Sequence, residues 1–422
     1  MAMQPWFPDA KFGIFVHWGV YAVDGVQESW SFFEGDVPHA TYMAQLDRFT
    51  ARSYDPGAWA DLFARAGARY AVLTSRHHDG VSLWDTAEGD LNVAAHTPAG
   101  RDLVGPYADA MRGRGIKVGL YYAHNDWNHP DYPSTRYEGR PPEFPDNPYA
   151  EVPKEREDLA AWARYLAYRD AQVRELTTRY RPDLLWFDGE WERTEEQWRI
   201  KDLAALIRSE VPDCVLNARM LSEGDYATPE QGVPIEPPPG PWELCLTFND
   251  SWGYRHHDHN YKSTAQLVRY FAETIGGGGN LLLSVGPKED GTIPAEQVER
   301  LEGIGAWIAR HADAVYGTVR GLPAGHHYGP STLSADGRTL DLTVFDIPRG
   351  PVGVRGLRTP VRRVSVLGTG TELGHQVVGG LHEVPGVLWI DPPAGADLDE
   401  YATVLAVELD GELDLYRGAG RF

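Results

Sequence analysis

What the chain lacks narrows it first. Cysteine is nearly absent: two residues in 422, Cys214 and Cys245, at no spacing that suits a metal cluster or a redox pair. Each falls in a stretch with strand character, so two buried thiols are expected rather than a disulfide. No run approaches the ~18 consecutive apolar residues of a membrane-spanning helix. Positive charge is scarce as well: 39 Lys and Arg against 61 Asp and Glu leave a formal net charge of -22. Nucleic acid and anionic membranes need a basic face, so neither is expected as a partner. Met1 to Pro8 carry neither the basic nor the apolar segment of a secretory leader, and patterned sequence starts near Lys11. The chain thus reads as cytoplasmic, or as secreted if a leader was trimmed.

What is present is a 42% apolar composition with 14 tryptophans, enough for a large core and several flat faces that suit sugar rings. The length fits a large α/β barrel with a smaller appendage. Apolar strand-like runs alternate with helical periodicity. The strands are Phe12–Gly19, Tyr70–Thr74, Ile116–Tyr122, Leu184–Phe187, Val215–Asn217, Glu243–Phe248 and Asn280–Val285. Helical spacing predicts helices over Trp59–Gly67, Leu103–Arg112, Lys154–Tyr180, Thr194–Glu210, Leu267–Ile275 and Gln297–Val315. Asn125–Pro153 and the proline-rich Ser222–Pro241 have no period and read as long loops. Seven strand–helix alternations call for a parallel (β/α)8-like, TIM-type barrel over residues 1–321. Residues 322–422 switch to short alternating runs, such as Leu340–Phe345 and Val404–Leu409, and are expected to form a small all-β sandwich.

Polar residues collect where the strands stop. Leu184–Phe187 runs into Asp188 and Gly189; His17, His77, His78, Tyr121, Tyr122, Arg219 and Glu243 lie at or near other strand ends. Each alone has an ordinary reading: Asp188 a helix cap, His17 a core histidine, Arg219 an ion pair. Together they converge on one face of the inferred barrel, where catalytic groups gather. Asp188 with Glu230 or Glu243 supplies two carboxylates, the equipment for cleaving a glycosidic bond. A metal-dependent hydrolase is the second class, from His77-His78-Asp79 and His256-His257-Asp258-His259. Adjacent histidines on a strand point to opposite faces, however, and no metal is expected. A non-catalytic carbohydrate-binding protein is the third.

Phe12-Gly13-Ile14-Phe15-Val16-His17-Trp18-Gly19, His77-His78-Asp79-Gly80, Gly119-Leu120-Tyr121-Tyr122, Trp186-Phe187-Asp188-Gly189, Trp242-Glu243, Ser251-Trp252-Gly253-Tyr254 and Gly278–Pro287, in this order, resemble the α-L-fucosidases of glycoside hydrolase family 29. The resemblance covers residues from about 6 to 320; the C-terminal region has only the place and size of that family's β-sandwich. It implies a retaining exo-glycosidase that forms a covalent fucosyl-enzyme intermediate, needs no cofactor and takes a fucosylated oligosaccharide or glycoconjugate. By resemblance Asp188 is the nucleophile. His17, His77, His78, Tyr121 or Tyr122, and Arg219 hold sugar hydroxyls, while Phe15, Trp186 and Trp252 line the pocket around ring and methyl. The family usually has Glu directly before Trp in the first loop; here Ser29 separates Glu28 from Trp30. Glu230 is the favoured acid/base, Glu243 the alternative, and Glu236 is merely nearby. A retaining pair needs about 5–5.5 Å between its carboxyls. The Glu230 loop is expected to be displaced without ligand. Linkage preference and self-association into a homo-oligomer are left open.

Overall fold

The computed structural model describes residues 3–89, 91–132 and 158–418. The expected loop Asn125–Pro153 and helix Lys154–Tyr180 therefore lie partly outside the described residues. Seven parallel strands form one curled sheet in the order β5-β4-β3-β2-β1-β7-β6. They are β1 (Phe12–Val16), β2 (Tyr70–Arg76), β3 (Lys117–Ala123), β4 (Leu184–Asp188), β5 (Val215–Leu216), β6 (Glu243–Thr247) and β7 (Asn280–Val285). Among the described residues, no helix is long and apolar enough to cross a membrane.

Residues 225–231 run between β5 and β6. Asn217 bridges Tyr226 on one side; Ala227 and Glu230 bridge Trp242 and Cys245 on the other, all in the parallel sense. Glu243 donates its N–H to the Ala227 carbonyl at 2.9 Å, Cys245 to Pro229 at 3.1 Å, and Gln231 to Cys245 at 2.9 Å. Pro229 has no N–H to give, so the segment cannot make a full ladder, but its carbonyl still accepts. Glu230 is thus pinned in register with β6, where a displaced loop was expected.

Strand pleating sorts the side chains into two layers. Phe12, Ile14, Val16, Leu120, Tyr122, Leu185, Phe187, Leu244 and Leu283 face the surrounding helices. Phe15, Tyr70, Val72, Tyr121, Leu184, Trp186, Cys245 and Leu282 fill the barrel interior. Gly13 faces inward too, and a Cβ there would stand 2.4 Å from the Tyr70 ring. The glycine makes room for that ring.

The helix expected over Thr194–Glu210 is two pieces, Glu195–Trp198 and Ile200–Glu210, broken at Arg199 in the left-handed region (φ 49°). The break lets Trp198 bury completely and donate its Nε1–H to the Glu190 carbonyl at 2.9 Å. Similarly, Gln297–Val315 divides into Ala295–Arg310 and Ala312–Val315.

The C-terminal region is two antiparallel sheets enclosing one core. The larger, in the order β12-β15-β10-β9-β8, is β8 (Thr318–Arg320), β9 (Ser331–Ser334), β10 (Thr339–Val344), β12 (Val361–Val366) and β15 (Thr403–Leu409). The smaller is β11 (Val352–Val354), β13 (His375–Val378) and β14 (Val387–Ile390). Leu342, Val364 and Leu405 meet Val354, Leu388 and Ile390 between them. Val404, on the other face of β15, belongs to the barrel core. Trp307 Nε1–H donates to the Ala402 carbonyl at 2.8 Å, which fastens sandwich to barrel.

Gly13→Ala is expected to displace Tyr70 and lower unfolding free energy by about 1–3 kcal/mol, the usual range for overpacking. Denaturant titration checks this against Gly113→Ala, whose Cβ would meet nothing within 4 Å.

Candidate active site

Eleven of the residues singled out in the sequence line one cavity of about 300 Å³ at the C-terminal ends of the strands. They are Phe15, His17, Glu28, Trp30, His77, Tyr121, Trp186, Asp188, Arg219, Glu230 and Trp252. Trp191 and Cys245, not anticipated, complete the lining. Phe15, Trp186 and Trp252 form an apolar wall, with Phe15 5.2 Å from Trp186 and 6.2 Å from Trp252 between ring centroids. Trp191 stacks on Trp30 at the rim, 6.2 Å between centroids.

Asp188 shares the inward face of β4 with Trp186. It caps no helix: Thr194 caps the next one, through a capping box with Gln197. Gly189 follows in the left-handed region (φ 86°), and a Cβ there would meet Asn125 Oδ1 at 2.5 Å, so the turn needs glycine. Tyr121 donates its hydroxyl to Asp188 Oδ2 at 2.9 Å, and His78 Nε2 lies 3.4 Å from the same oxygen. Burial alone would raise the Asp188 pKa, but His78, Arg219 and Tyr121 outweigh it and hold the carboxyl below its usual value.

Each of the three histidines is held at Nδ1 by an oxygen. His17 Nδ1 meets Ser284 Oγ at 2.8 Å, and that hydroxyl donates to the Trp252 carbonyl at 3.3 Å. Ser284 therefore accepts from His17, whose Nε2 is left as a lone-pair acceptor. His77 Nδ1 meets Ser29 Oγ at 2.6 Å. His78 Nδ1 meets Asn125 Oδ1, and the Asn125 amide donates to Glu192 at 2.8 Å. Burial pushes the His17 pKa down to about 3, with Asp188 opposing and His78 adding to the shift. Burial, His78 and His17 drive the His77 pKa well below its ordinary value. His17 and His77 are therefore neutral.

β5 is only two residues long, but the Asn217 side chain continues it. Its amide donates to the Phe187 carbonyl at 2.9 Å, and its carbonyl accepts from the Phe187 N–H at 2.9 Å. That fixes the turn carrying Arg219, whose own carbonyl is 3.1 Å from His124 Nε2. The Arg219 guanidinium then bridges two carboxylates, Glu190 at 2.9 Å and Glu230. Burial raises the Glu230 pKa, Asp188 adds to the rise, and Arg219 only partly offsets it. Burial likewise raises Glu190, against Arg219. Glu190 was missed in the sequence, although an acid two residues past Asp188 was visible there.

Two sequence expectations are corrected. Tyr122 does not face the cavity: its hydroxyl donates to Gln172 at 3.0 Å and its ring lies against the Arg76 guanidinium. With Tyr121 inward, strand alternation turns Tyr122 outward. Glu243 is fully buried and does not line the cavity; it accepts from Tyr70 at 2.6 Å, Trp186 Nε1 at 2.9 Å and Tyr226 at 3.4 Å. It is enclosed by its donors, where no glycosidic oxygen can reach it. Glu236 is exposed and outside the cavity. Glu28, despite the inserted Ser29, does reach the site: it accepts the Gly253 N–H at 2.5 Å, and burial pushes its pKa up to about 7.

Among the described residues no three His, Cys, Asp or Glu side chains are grouped to hold a metal ion. In the 256–259 run, Asp258 is engaged by the Ser251 hydroxyl at 2.6 Å. A larger cavity, about 750 Å³, opens beside Lys11, Gly278 and Pro237–Pro239, at the opposite ends of the strands. Its one buried cation, Lys11, is spent on the Pro8 and Thr318 carbonyls at 2.9 and 2.8 Å. The chemistry lies in the smaller cavity.

A small pocket at the C-terminal mouth of a parallel barrel, with one carboxyl held below its ordinary pKa and another raised above it, is the site of a glycoside hydrolase. The chain belongs to the α-L-fucosidase family, glycoside hydrolase family 29, whose model matches residues 1–313. It is 33% identical over 347 residues to the tissue α-L-fucosidase of Bos taurus, covering 74% of this chain and 69% of the bovine one. Its structure is similar to α-L-fucosidase isoenzyme 1 from Paenibacillus thiaminolyticus, with a TM-score of 0.85, 35% identity, and 96% and 98% of the two chains covered. It is also similar to a Thermotoga maritima α-fucosidase bound to a mechanism-based inhibitor, with a TM-score of 0.77, 30% identity, and 96% and 97% covered.

Burial pushes the Glu243 carboxyl up to about 7 from a model-peptide value of 4.5, against its three donors. A folded pKa above the unfolded one contributes stability that is full below pH 4.5 and lost as pH rises through 7. Between pH 5 and 8 the wild type should therefore lose up to about 3 kcal/mol relative to Glu243→Gln. Paired denaturation curves across that range check the sign.

Proposed function

We propose that the pocket is the site of a retaining exo-α-L-fucosidase in which Asp188 is the nucleophile and Glu230 the acid/base. The observation carrying this reading is the split between two carboxyls of one cavity. Asp188 is held low by His78, Arg219 and Tyr121, and Glu230 is raised by burial and by Asp188. An ionised Asp188 attacks the anomeric carbon on the face opposite the leaving group, while Glu230 passes its proton to the departing oxygen. A covalent fucosyl ester on Asp188 results. Glu230, now ionised, takes a proton from water, the water oxygen bonds to the same carbon, and the ester is released with net retention.

The substrate class follows from the wall as well as the acids. A 6-deoxy sugar carries a methyl where most hexoses carry a hydroxyl. Phe15, Trp186 and Trp252 supply apolar surface for it, and the Trp186 N–H is already spent on Glu243. Around the other hydroxyls stand His17, His77, Tyr121 and Glu28, with Arg219 at the edge; His78, expected among them, does not line the cavity and turns its Nε2 to Asp188 Oδ2 at 3.4 Å. At about 300 Å³ the cavity is at the small end of ligand pockets and suits one terminal sugar, which makes the action exo.

Asp188→Asn should abolish turnover of an aryl α-L-fucoside while leaving fucose binding measurable. Turnover that persists in this variant would remove Asp188 from its role, and a wild type inactive on every α-L-fucoside would leave a sugar-binding protein. Glu230→Gln should lose far more activity on fucosylated oligosaccharides than on aryl fucosides with good leaving groups, and azide should restore turnover with an α-linked product. The wild-type pH profile should be a bell: the acid limb falls as Asp188 takes up a proton, the alkaline limb as Glu230 loses one. Glu230→Gln should lose the alkaline limb; a limb that stays belongs to another group.

A further inference from the structure

His78 is completely buried and does not line the cavity, yet it is the imidazole that reaches Asp188. Its Nε2 lies 3.4 Å from Asp188 Oδ2, and its Nδ1 meets Asn125 Oδ1. Asn125 is buried too, and its amide nitrogen donates to Glu192 Oε1 at 2.8 Å. The same oxygen accepts the Trp127 indole N–H at 2.8 Å, and Glu192 Oε2 accepts the Tyr132 hydroxyl. Side chains from the turn after β4, the loop after β3 and the loop after β2 thus form one line that ends on Asp188.

Proton positions in the line follow from Trp127, because an indole N–H can only donate. Glu192 Oε1 therefore accepts, and Asn125 meets it with its NH2. That turns the Asn125 carbonyl toward His78, so Nδ1 carries a proton. A ring with that proton alone would set the Nε2 lone pair against the Asp188 carboxylate, acceptor against acceptor. A second proton, at Nε2, makes the contact an ion pair. Acids surround the ring: Asp188 on β4 and Glu192 behind Asn125, with Glu28 and Asp79 within electrostatic reach. Its histidine neighbours, His17 and His77, are neutral. Trp127 lies against the imidazole, 4.6 Å between centroids, and keeps it from turning. At Asp188 both contacts fall on one oxygen: Tyr121 donates to Oδ2 at 2.9 Å, and His78 faces the same atom. Among the described residues no hydrogen bond is made to Oδ1.

We propose that Glu192 and Asn125 are positioning residues that hold His78 as an imidazolium, with Nδ1–H on Asn125 and Nε2–H toward Asp188 Oδ2, so that Asp188 attacks through Oδ1. This role rests on the reading of Asp188 as the nucleophile. The bond from Oδ1 to the anomeric carbon forms as the glycosidic carbon–oxygen bond breaks and Glu230 protonates the leaving oxygen. Oδ2 becomes the carbonyl oxygen of the ester and keeps both donors. When water displaces the ester, charge returns to a carboxylate whose partners are already in place.

At the pH of maximal activity, nitrogen-15 NMR of wild type labelled at histidine should show both His78 nitrogens protonated, the signals being identified by their loss in His78→Gln. In Asp188→Asn, where an amide can donate to a bare Nε2, the second proton should be gone. Asn125→Leu keeps the shape but offers no acceptor. Its kcat on an aryl α-L-fucoside should fall about 10–100-fold, the scale of a hydrogen bond to a charged group, while inhibition by L-fucose stays within about twofold. Glu192→Gln can still accept from Trp127 and Asn125 and should retain most of kcat; Glu192→Leu should fall with Asn125→Leu. A bare Nε2 in the active wild type overturns the proposal, even where Asn125→Leu fails to fold. So does a folded Asn125→Leu enzyme with wild-type kcat, or one whose kcat and L-fucose inhibition weaken together, as a merely structural role requires. Turnover by Asp188→Asn, or a wild type inactive on every α-L-fucoside, instead sinks the reading of the cavity on which the proposal rests.

Discussion

Side chains on a strand alternate in direction, and that alternation decides which residue of each neighbouring pair meets the cavity. Phe15 and His17 are two apart, as are Trp186 and Asp188, and each pair shares one inward face. The intervening Val16 and Phe187 are committed to the helix-facing core. A shift of one residue in either of these strands would carry a polar side chain into the outer layer and an aromatic out of the wall. The core therefore enforces the site: outward Leu, Ile, Val and Phe side chains fix the register, and the register aims the acids.

Below the cavity the same rule creates a floor. Glu243 takes hydrogen bonds from Trp186, Tyr70 and Tyr226, and Gly13 leaves the space in which the Tyr70 ring sits. The wall residue Trp186 is thereby held at its indole N–H from beneath, while Phe15 and Tyr121 pack beside it. On the opposite side the imidazoles are held by oxygens from separate elements: Ser284 on β7, Ser29 in the first loop and Asn125 after β3. Orientation is settled during folding, so a bound sugar meets groups that need not reorganise.

Much of this was legible because barrel strands are continuous apolar runs closed by polar residues. Asn280–Val285 falls on the same bounds in sequence and structure, and Asp188 was conspicuous as the acid that ends such a run. Tyr121 and Tyr122 could not be separated from motif alone, although the period of two would have chosen Tyr121. Glu243 drew attention because it opens a strand, yet strand position does not reveal how many donors enclose a carboxyl. Glu190 and Trp191 escaped notice because turns place them, and turn geometry depends on contacts far away in sequence. In the C-terminal region β8, β9, β11 and β13 were not seen. They are three or four residues long, and most of β13 is exposed, so no clean alternation marks them.

The two carboxyls proposed as nucleophile and acid/base come from different kinds of backbone, and the difference has a physical origin. Asp188 ends a strand whose neighbours pair on both sides, so its position follows from the sheet. Glu230 sits in the segment running between β5 and β6, where proline removes donors and only isolated bridges remain. That segment is still tied to β6 through the Pro229 and Cys245 carbonyls, and Glu230 is tied sideways to Arg219. Arg219 in turn holds Glu190 and lowers the pKa of Asp188, so one cation couples three carboxyls. A proton lost by Glu230 strengthens its hold on Arg219, and in the proposed mechanism a fucosyl group on Asp188 removes a negative charge that adds to burial in raising the Glu230 pKa. In the proposed mechanism that change of charge turns the acid into a base at the step that needs one.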